Sequence, residues 1–267
     1  MDGRRWLYLY VQRRVDEMRV SLIQMEVRNR VEDNLDRAEE MIDRSFESFA
    51  PDFVCLPEYF SAPIFDRSKE ENRSKEEIFD EIYQPTISFL RAKSKELGIY
   101  IIGGSVLEKE GDAFYNTSFL LKNGEILGKY RKINLTEPEM PELKRGEECF
   151  VYDTGYVKIG ILICADILST EIVKTVASMG AEVLFLPISL PSEGHPSTHG
   201  HPASISIAHA NSLFILKNAC VGLSSSGKKV GSRSAIVSPW GIAKEAMEEN
   251  MEEIVSAELD LSRNKAT

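Results

Sequence analysis

Apolar residues in this chain fall into two spacings, one suited to helices and one to buried strands. Between residues 31 and 49, Leu35, Ala38, Ile42, Phe46 and Phe49 recur near the helical repeat, which predicts an amphipathic helix with one face on a sheet. A second helix is predicted over residues 85–97, closed by Gly98. A third begins near Thr170. Short apolar runs predict strands at 53–56, 99–106, 114–122, 157–163, 214–219, 234–238 and 254–259. Asn123-Gly124 carries the signal for a type I′ hairpin. The charged residues of 66–77 read as an exposed excursion rather than a linker between domains. Strands alternating with helices predict a layered α/β architecture.

Composition narrows the class. The 267 residues suit one large domain that buries roughly three quarters of its unfolded surface. A net charge of −10 argues against a nucleic-acid partner, which would want a basic face. Four cysteines without C-x-x-C spacing supply neither a disulfide framework nor a zinc signature, and a reduced, cytoplasmic chain is the simplest expectation. Residues 1–17 stand apart as a peripheral arm, with 18–267 as the single domain. Arginines flank Trp6-Leu7-Tyr8-Leu9-Tyr10-Val11, an apolar core shorter than the usual signal-peptide range of about 7–15 residues. No segment approaches the roughly 18 apolar residues of a membrane span, so no membrane partner is expected.

Chemistry is concentrated in three places. The run Val157-Lys158-Ile159-Gly160-Ile161-Leu162-Ile163 ends at Cys164, where a core strand turns toward a helix. Such an elbow exposes a side chain at the sheet edge and leaves backbone N–H groups, here that of Ala165, free to meet a developing oxyanion. Phe53-Val54-Cys55-Leu56-Pro57 places Glu58 just past a strand stopped by proline. Gly128-Lys129-Tyr130-Arg131-Lys132-Ile133 presents Lys132 between apolar neighbours. Read singly, these are a packed thiol, a loop carboxylate and a solvated charge.

Together, the LPEYF, GKYRKINL and GILICADI contexts resemble the nitrilase superfamily of carbon–nitrogen hydrolases, in which Glu, Lys and Cys occur in this order. Met18-Arg19-Val20-Ser21-Leu22-Ile23-Gln24-Met25, Tyr115-Asn116-Thr117-Ser118 and Gly231-Ser232-Arg233-Ser234-Ala235-Ile236-Val237-Ser238-Pro239-Trp240-Gly241 extend the likeness over nearly the whole chain. The resemblance implies a four-layer αββα sandwich and a catalytic set of Glu58, Lys132 and Cys164, with Ala165 N–H at the oxyanion. It also implies a second carboxylate, Glu139 or Glu137. No cofactor is implied; the expected substrate is a small amide or nitrile, and the expected assembly a homodimer or higher homo-oligomer. Amidase chemistry is the leading expectation; nitrilase, carbamoylase, acyltransferase and non-catalytic binding members are the alternatives.

Departures bear on the pocket. Ala165 stands where the family usually has an aromatic residue, and Ile207-Ala208-His209-Ala210-Asn211 lacks the arginine and glutamate of the corresponding family helix. Tyr59, His199 and Pro187 are the candidate pocket residues. His195, His199 and His201 lie close enough to suggest zinc, but Pro196, Gly200 and Pro202 forbid the helix that would align the first two, so no metal is expected. Glu171, Cys55, Cys149, Cys220 and His209 are read as structural.

Overall fold

In the computed structural model, which describes residues 16–62, 74–190, 202–223 and 229–262, the all-apolar runs form the middle of the molecule. Strands β1 (Glu17–Glu26), β2 (Phe53–Cys55) and β3 (Tyr100–Ile102) pair in parallel. The sheet continues antiparallel through β4 (Val106–Glu110), β5 (Ala113–Lys122) and β6 (Glu125–Arg131), with β5 next to β3. A second sheet is built from β7 (Val151–Asp153), β8 (Lys158–Ile161), β9 (Val183–Ile188) and β10 (Phe214–Leu223). Here β11 (Lys229–Val230) and β12 (Ala235–Ser238) pair with β10, and β13 (Gly241–Glu245) with β12, while β14 (Glu253–Asp260) returns to β1. The sheets join where Met25 and Glu26 meet Cys220 and Val221. Between them, Phe53 stacks on Tyr100 and packs against Phe185.

Helices cover the outer faces. α1 (Val31–Phe49) follows the predicted span, and its Ala38, Met41 and Ile42 pack on the first sheet beside Leu90 of α2 (Lys75–Leu97). α3 (Thr170–Ser178) and α4 (Pro202–Asn211) send Ile172, Val173, Val176 and Ala208 into the core of the second sheet. The result is the four-layer αββα sandwich.

Three boundaries differ from the sequence reading. α2 starts at Lys75, well before Pro85, because Ser74 and Glu77 form a reciprocal capping box (3.2 and 2.8 Å) and Ile78 and Ile82 are buried on its inner face. Pro85 therefore lies inside the helix, and residues 75–77 are its first turn rather than part of an excursion. The strand expected over 99–106 is two strands, separated at Gly103-Gly104-Ser105. Gly104 has φ +54°, and a Cβ there would stand 2.0 Å from the Pro57 carbonyl oxygen, so the chain bends to let two loops touch. Finally, β1 takes in Glu17, which pairs with Asp260; residues 1–15 of the expected arm lie outside the described residues. The hairpin signal holds, with φ +52° at Asn123 and +82° at Gly124 as a type I′ turn requires.

Candidate active site

Glu58 is held by the Gly103–Ser105 bend. Leu56 N–H donates to Ile102 O, and Tyr59 N–H donates to Ser105 Oγ at 3.2 Å, clamping the loop on both sides of the carboxylate. Tyr59 adopts φ +54°, rare for a bulky residue and a sign that the surroundings dictate this turn. Glu58 is 2% exposed. Its Oε1 accepts from Lys132 Nζ and Asn116 Nδ2, both at 2.9 Å, and its Oε2 accepts from Ser189 N–H at 2.8 Å.

Lys132 follows β6 and is fixed by its backbone, donating to Asn116 O and accepting from Gly146 N–H. Its ammonium bridges Glu58 and Glu139, the latter at 2.8 Å. Glu139 is held by Thr136 N–H and Thr136 Oγ1 on one oxygen, and by Asn116 Nδ2 and Tyr59 OH on the other. Glu137 is exposed. The choice the sequence left open is thus made by geometry: Glu139 is the carboxylate beside Lys132. Pro138 does not disturb this register, because Glu139 and Met140 N–H groups close a turn on Thr136 O.

Cys164 sits at the end of the second sheet's core with φ +48°, at the head of a 3-10 turn over Cys164–Leu168. The strand-to-helix elbow anticipated from the sequence is there, and the left-handed backbone of its cysteine adds strain that the sequence does not announce. Its Sγ lies 3.9 Å from Ser189 O. Asp166 ties this elbow to the lysine loop: Oδ1 accepts from Ile133 and Asn134 N–H, and Oδ2 from Ile163 N–H and Tyr130 OH. Asn134 Nδ2 completes the tie by donating to Ala165 O at 2.7 Å. N–H groups in the first turn of such a helix have no intrahelical partner, and Ala165 stands in that turn.

The charges of the cluster do not balance when both carboxylates are ionised, since Lys132 offers one positive charge to two. Burial raises the Glu58 carboxyl, against the pull of Lys132, and the charge of Glu139 adds to the rise. Burial opposes charge on Glu139 as well, but Lys132, Thr136 and Asn116 together hold it below the ordinary carboxylate range. Burial works against the Lys132 charge, yet the attraction of Glu58, Cys164 and Glu139 raises it. The Cys164 thiol is pushed up by burial and then by the charge of Glu58, against the pull of Lys132. Burial and charge together thus favour a Lys132–Glu139 ion pair and a neutral Cys164 thiol, and they raise the proton affinity of Glu58.

Of the sequence candidates, Glu58, Lys132, Cys164, Glu139 and Ala165 come together. Tyr59 spends its hydroxyl on Glu139. Pro187 is buried within β9 opposite Asn218, two residues before Ser189. His199, with His195 and His201, lies outside the described residues. Cys220 lies within β10 rather than at its end, and its Sγ is 3.1 Å from Ser189 Oγ. Asn116, Asp166 and Ser189 escaped the sequence reading. Asn116 stood in a quoted segment, but nothing local marks it as the partner of carboxylates on two distant loops.

Known proteins resemble this chain over most of its length. The carbon-nitrogen hydrolase family matches residues 19–267. Omega-amidase NIT2-B of Xenopus laevis is 30% identical, over 92% of this chain and 89% of that protein. A nitrilase of Pyrococcus abyssi is 32% identical, over 87% and 86%. The crystal structure of Saccharomyces cerevisiae Nit3, a member of branch 10 of the nitrilase superfamily, superposes with a TM-score of 0.81 at 29% identity, covering 95% of this chain and 94% of that one. The chain is a member of the carbon-nitrogen hydrolase family, within the nitrilase superfamily.

Proposed function

We propose that this carbon-nitrogen hydrolase is an amidase that releases ammonia from a small carboxamide through a thioester on Cys164. The observation that carries the reading is one buried cluster in which Glu58 takes Lys132 on one oxygen and the N–H of Ser189 on the other, while the Cys164 thiol lies against the carbonyl of that same Ser189. A neutral thiol attacks poorly, so deprotonation must accompany attack. Glu58 takes the thiol proton as Cys164 Sγ bonds to the amide carbon. Two of the three Lys132 N–H groups face Glu58 and Glu139, leaving the third for the oxyanion beside Ala165 N–H. Glu58 then returns its proton to the leaving nitrogen, the C–N bond breaks and ammonia departs. Water, giving a proton to Glu58, attacks the thioester; the acid leaves and the thiol regains its proton. Relatives named omega-amidase and, in Dictyostelium discoideum, deaminated glutathione amidase favour an amide over a nitrile.

The test is ammonia release from a panel of carboxamides and the matching nitriles, comparing wild type with Cys164→Ala. Ammonia from a carboxamide, falling at least about ten-thousand-fold in the variant, is the expected result. Turnover of nitriles alone would make the protein a nitrilase, and turnover by Cys164→Ala would remove the thioester.

A further inference from the structure

Asn116 occupies an unusual place in this cluster. It is fully buried on β5, and its single amide nitrogen sends one hydrogen to Glu58 Oε1 and the other to Glu139 Oε1, each at 2.9 Å. Its backbone oxygen receives Lys132 N–H at 2.8 Å. The Lys132 ammonium contacts the same two carboxylates. Glu58, Lys132, Glu139 and Asn116 therefore form a closed ring in which a cation and an amide each bridge both acids. The amide orientation is dictated chemically, because the reverse flip would set a carbonyl oxygen against two carboxylates. Asn116 Oδ1 has no hydrogen-bond partner among the described residues, so the side chain's pairing is committed to the two acids.

We propose that Asn116 is a positioning residue that assigns the two carboxylates different tasks, keeping Glu139 a fixed anion on Lys132 and holding Glu58 in an ionised, proton-accepting state at rest. This rests on the reading of Glu58 as the base for Cys164. Hydrogen bonds to a carboxylate favour its charged form, and Glu58 has few of them: Lys132, Asn116 and Ser189 N–H. Glu139 keeps Lys132, Thr136 and Tyr59 without the amide. Removing the amide thus weighs mainly on Glu58. The groups facing Glu58 are Lys132, Glu139, Cys164, Tyr59 and Cys220, with Asp166 acting on Lys132 from the elbow. Apart from Lys132, none of these groups donates to both acids. Asn116 acts through the two carboxylates it bridges, so its effect is expected in the protonation of Glu58 rather than in substrate affinity.

The test needs no known substrate. The rate of Cys164 alkylation by iodoacetamide is followed against pH by intact mass, in wild type, Asn116→Leu and Asn116→Ser. Wild-type alkylation should fall on the acid side as Glu58 takes up a proton. In Asn116→Leu this acid limb should move upward by about one pH unit, with roughly a tenfold slower rate at pH values below the limb. Asn116→Ser fits inside the native volume, retains at most one donor and should move the limb in the same direction by less; it carries the test if the leucine variant does not fold. An unmoved limb in a folded variant, or a uniform slowing at every pH, would overturn the role of Asn116 while leaving the Cys164 reading intact. Wild-type Cys164 reacting no faster than Cys55 or Cys220 would instead overturn that reading, and the inference with it.

Discussion

Lys132 and Lys217, both buried, behave oppositely. Lys132, in the loop after β6, is 2% exposed, and Lys217, in the middle of β10, is 5% exposed. Lys132 faces two carboxylates within 2.9 Å, and its ammonium is held charged. Lys217 donates to the hydroxyl of Ser232 at 2.7 Å, and burial brings it down to about 7, against the opposing influence of Cys164 and Glu245. Burial alone predicts a neutral amine in both places. The difference is made by acids brought to one lysine from Glu58 on one loop and Glu139 on another. A buried cation survives here only where the fold supplies paired, hydrogen-bonded counter-charge.

The same substitution should therefore act with opposite sign at the two positions. Lys132→Met leaves Glu58 and Glu139 facing each other without a cation. Stability measured by denaturant unfolding at pH 7 should fall by about 3–5 kcal/mol. Activity should fall by about a thousand-fold or more, because the variant lacks the oxyanion donor proposed above. The stability loss should shrink toward acid pH, where Glu58 accepts a proton and the repulsion disappears.

Glu139→Gln is the next largest break. It removes one of the two acids from Lys132 and loosens the Thr136 turn, so kcat should fall by about a hundred-fold through misplacement of the lysine. If the variant kept wild-type kcat, Glu139 would be a structural counter-ion only, and Lys132 would need Glu58 alone.

Lys217→Met sharpens the contrast from the other side. An amine whose folded value, about 7, lies below its ordinary 10.5 costs the fold stability. That cost builds as pH falls from 10.5 to about 7 and is constant below. The variant should gain on the order of a few kcal/mol over wild type at pH 7, and the gain should shrink toward pH 10. Equal Tm differences at pH 7 and pH 10 would mean that Lys217 is charged in the folded protein and that its surroundings hold it as Lys132 is held.

Much of this architecture was legible in the residues, and the exceptions have physical causes. Helix α1 and the Asn123-Gly124 hairpin follow from local periodicity and turn chemistry, which short segments encode fully. The Cys164 elbow was visible because an apolar strand stops abruptly at a polar turn. Helix α2 was misjudged because Pro85 looked like a start, whereas the capping box at Ser74 and the buried Ile78 and Ile82 outweigh it. The split of strands β3 and β4 depends on Gly104 meeting Pro57, a contact between distant segments that no local pattern announces. Asn116 is the same case at the site. Its meaning lies in bridging Glu58 and Glu139, and only the fold brings those together. The ties from Asp166 to Ile133, Asn134 and Tyr130 likewise fix Lys132 to Cys164 across loops.

The central claim is that a carboxamide is opened on the Cys164 sulfur inside this charged ring. Its most direct test is acid-quenched intact-mass and peptide mapping after brief exposure to a turned-over carboxamide. An acyl adduct is expected on the peptide containing Cys164 in wild type and none in Cys164→Ala. An adduct on Cys55 or Cys220, or undiminished hydrolysis by Cys164→Ala, would contradict it.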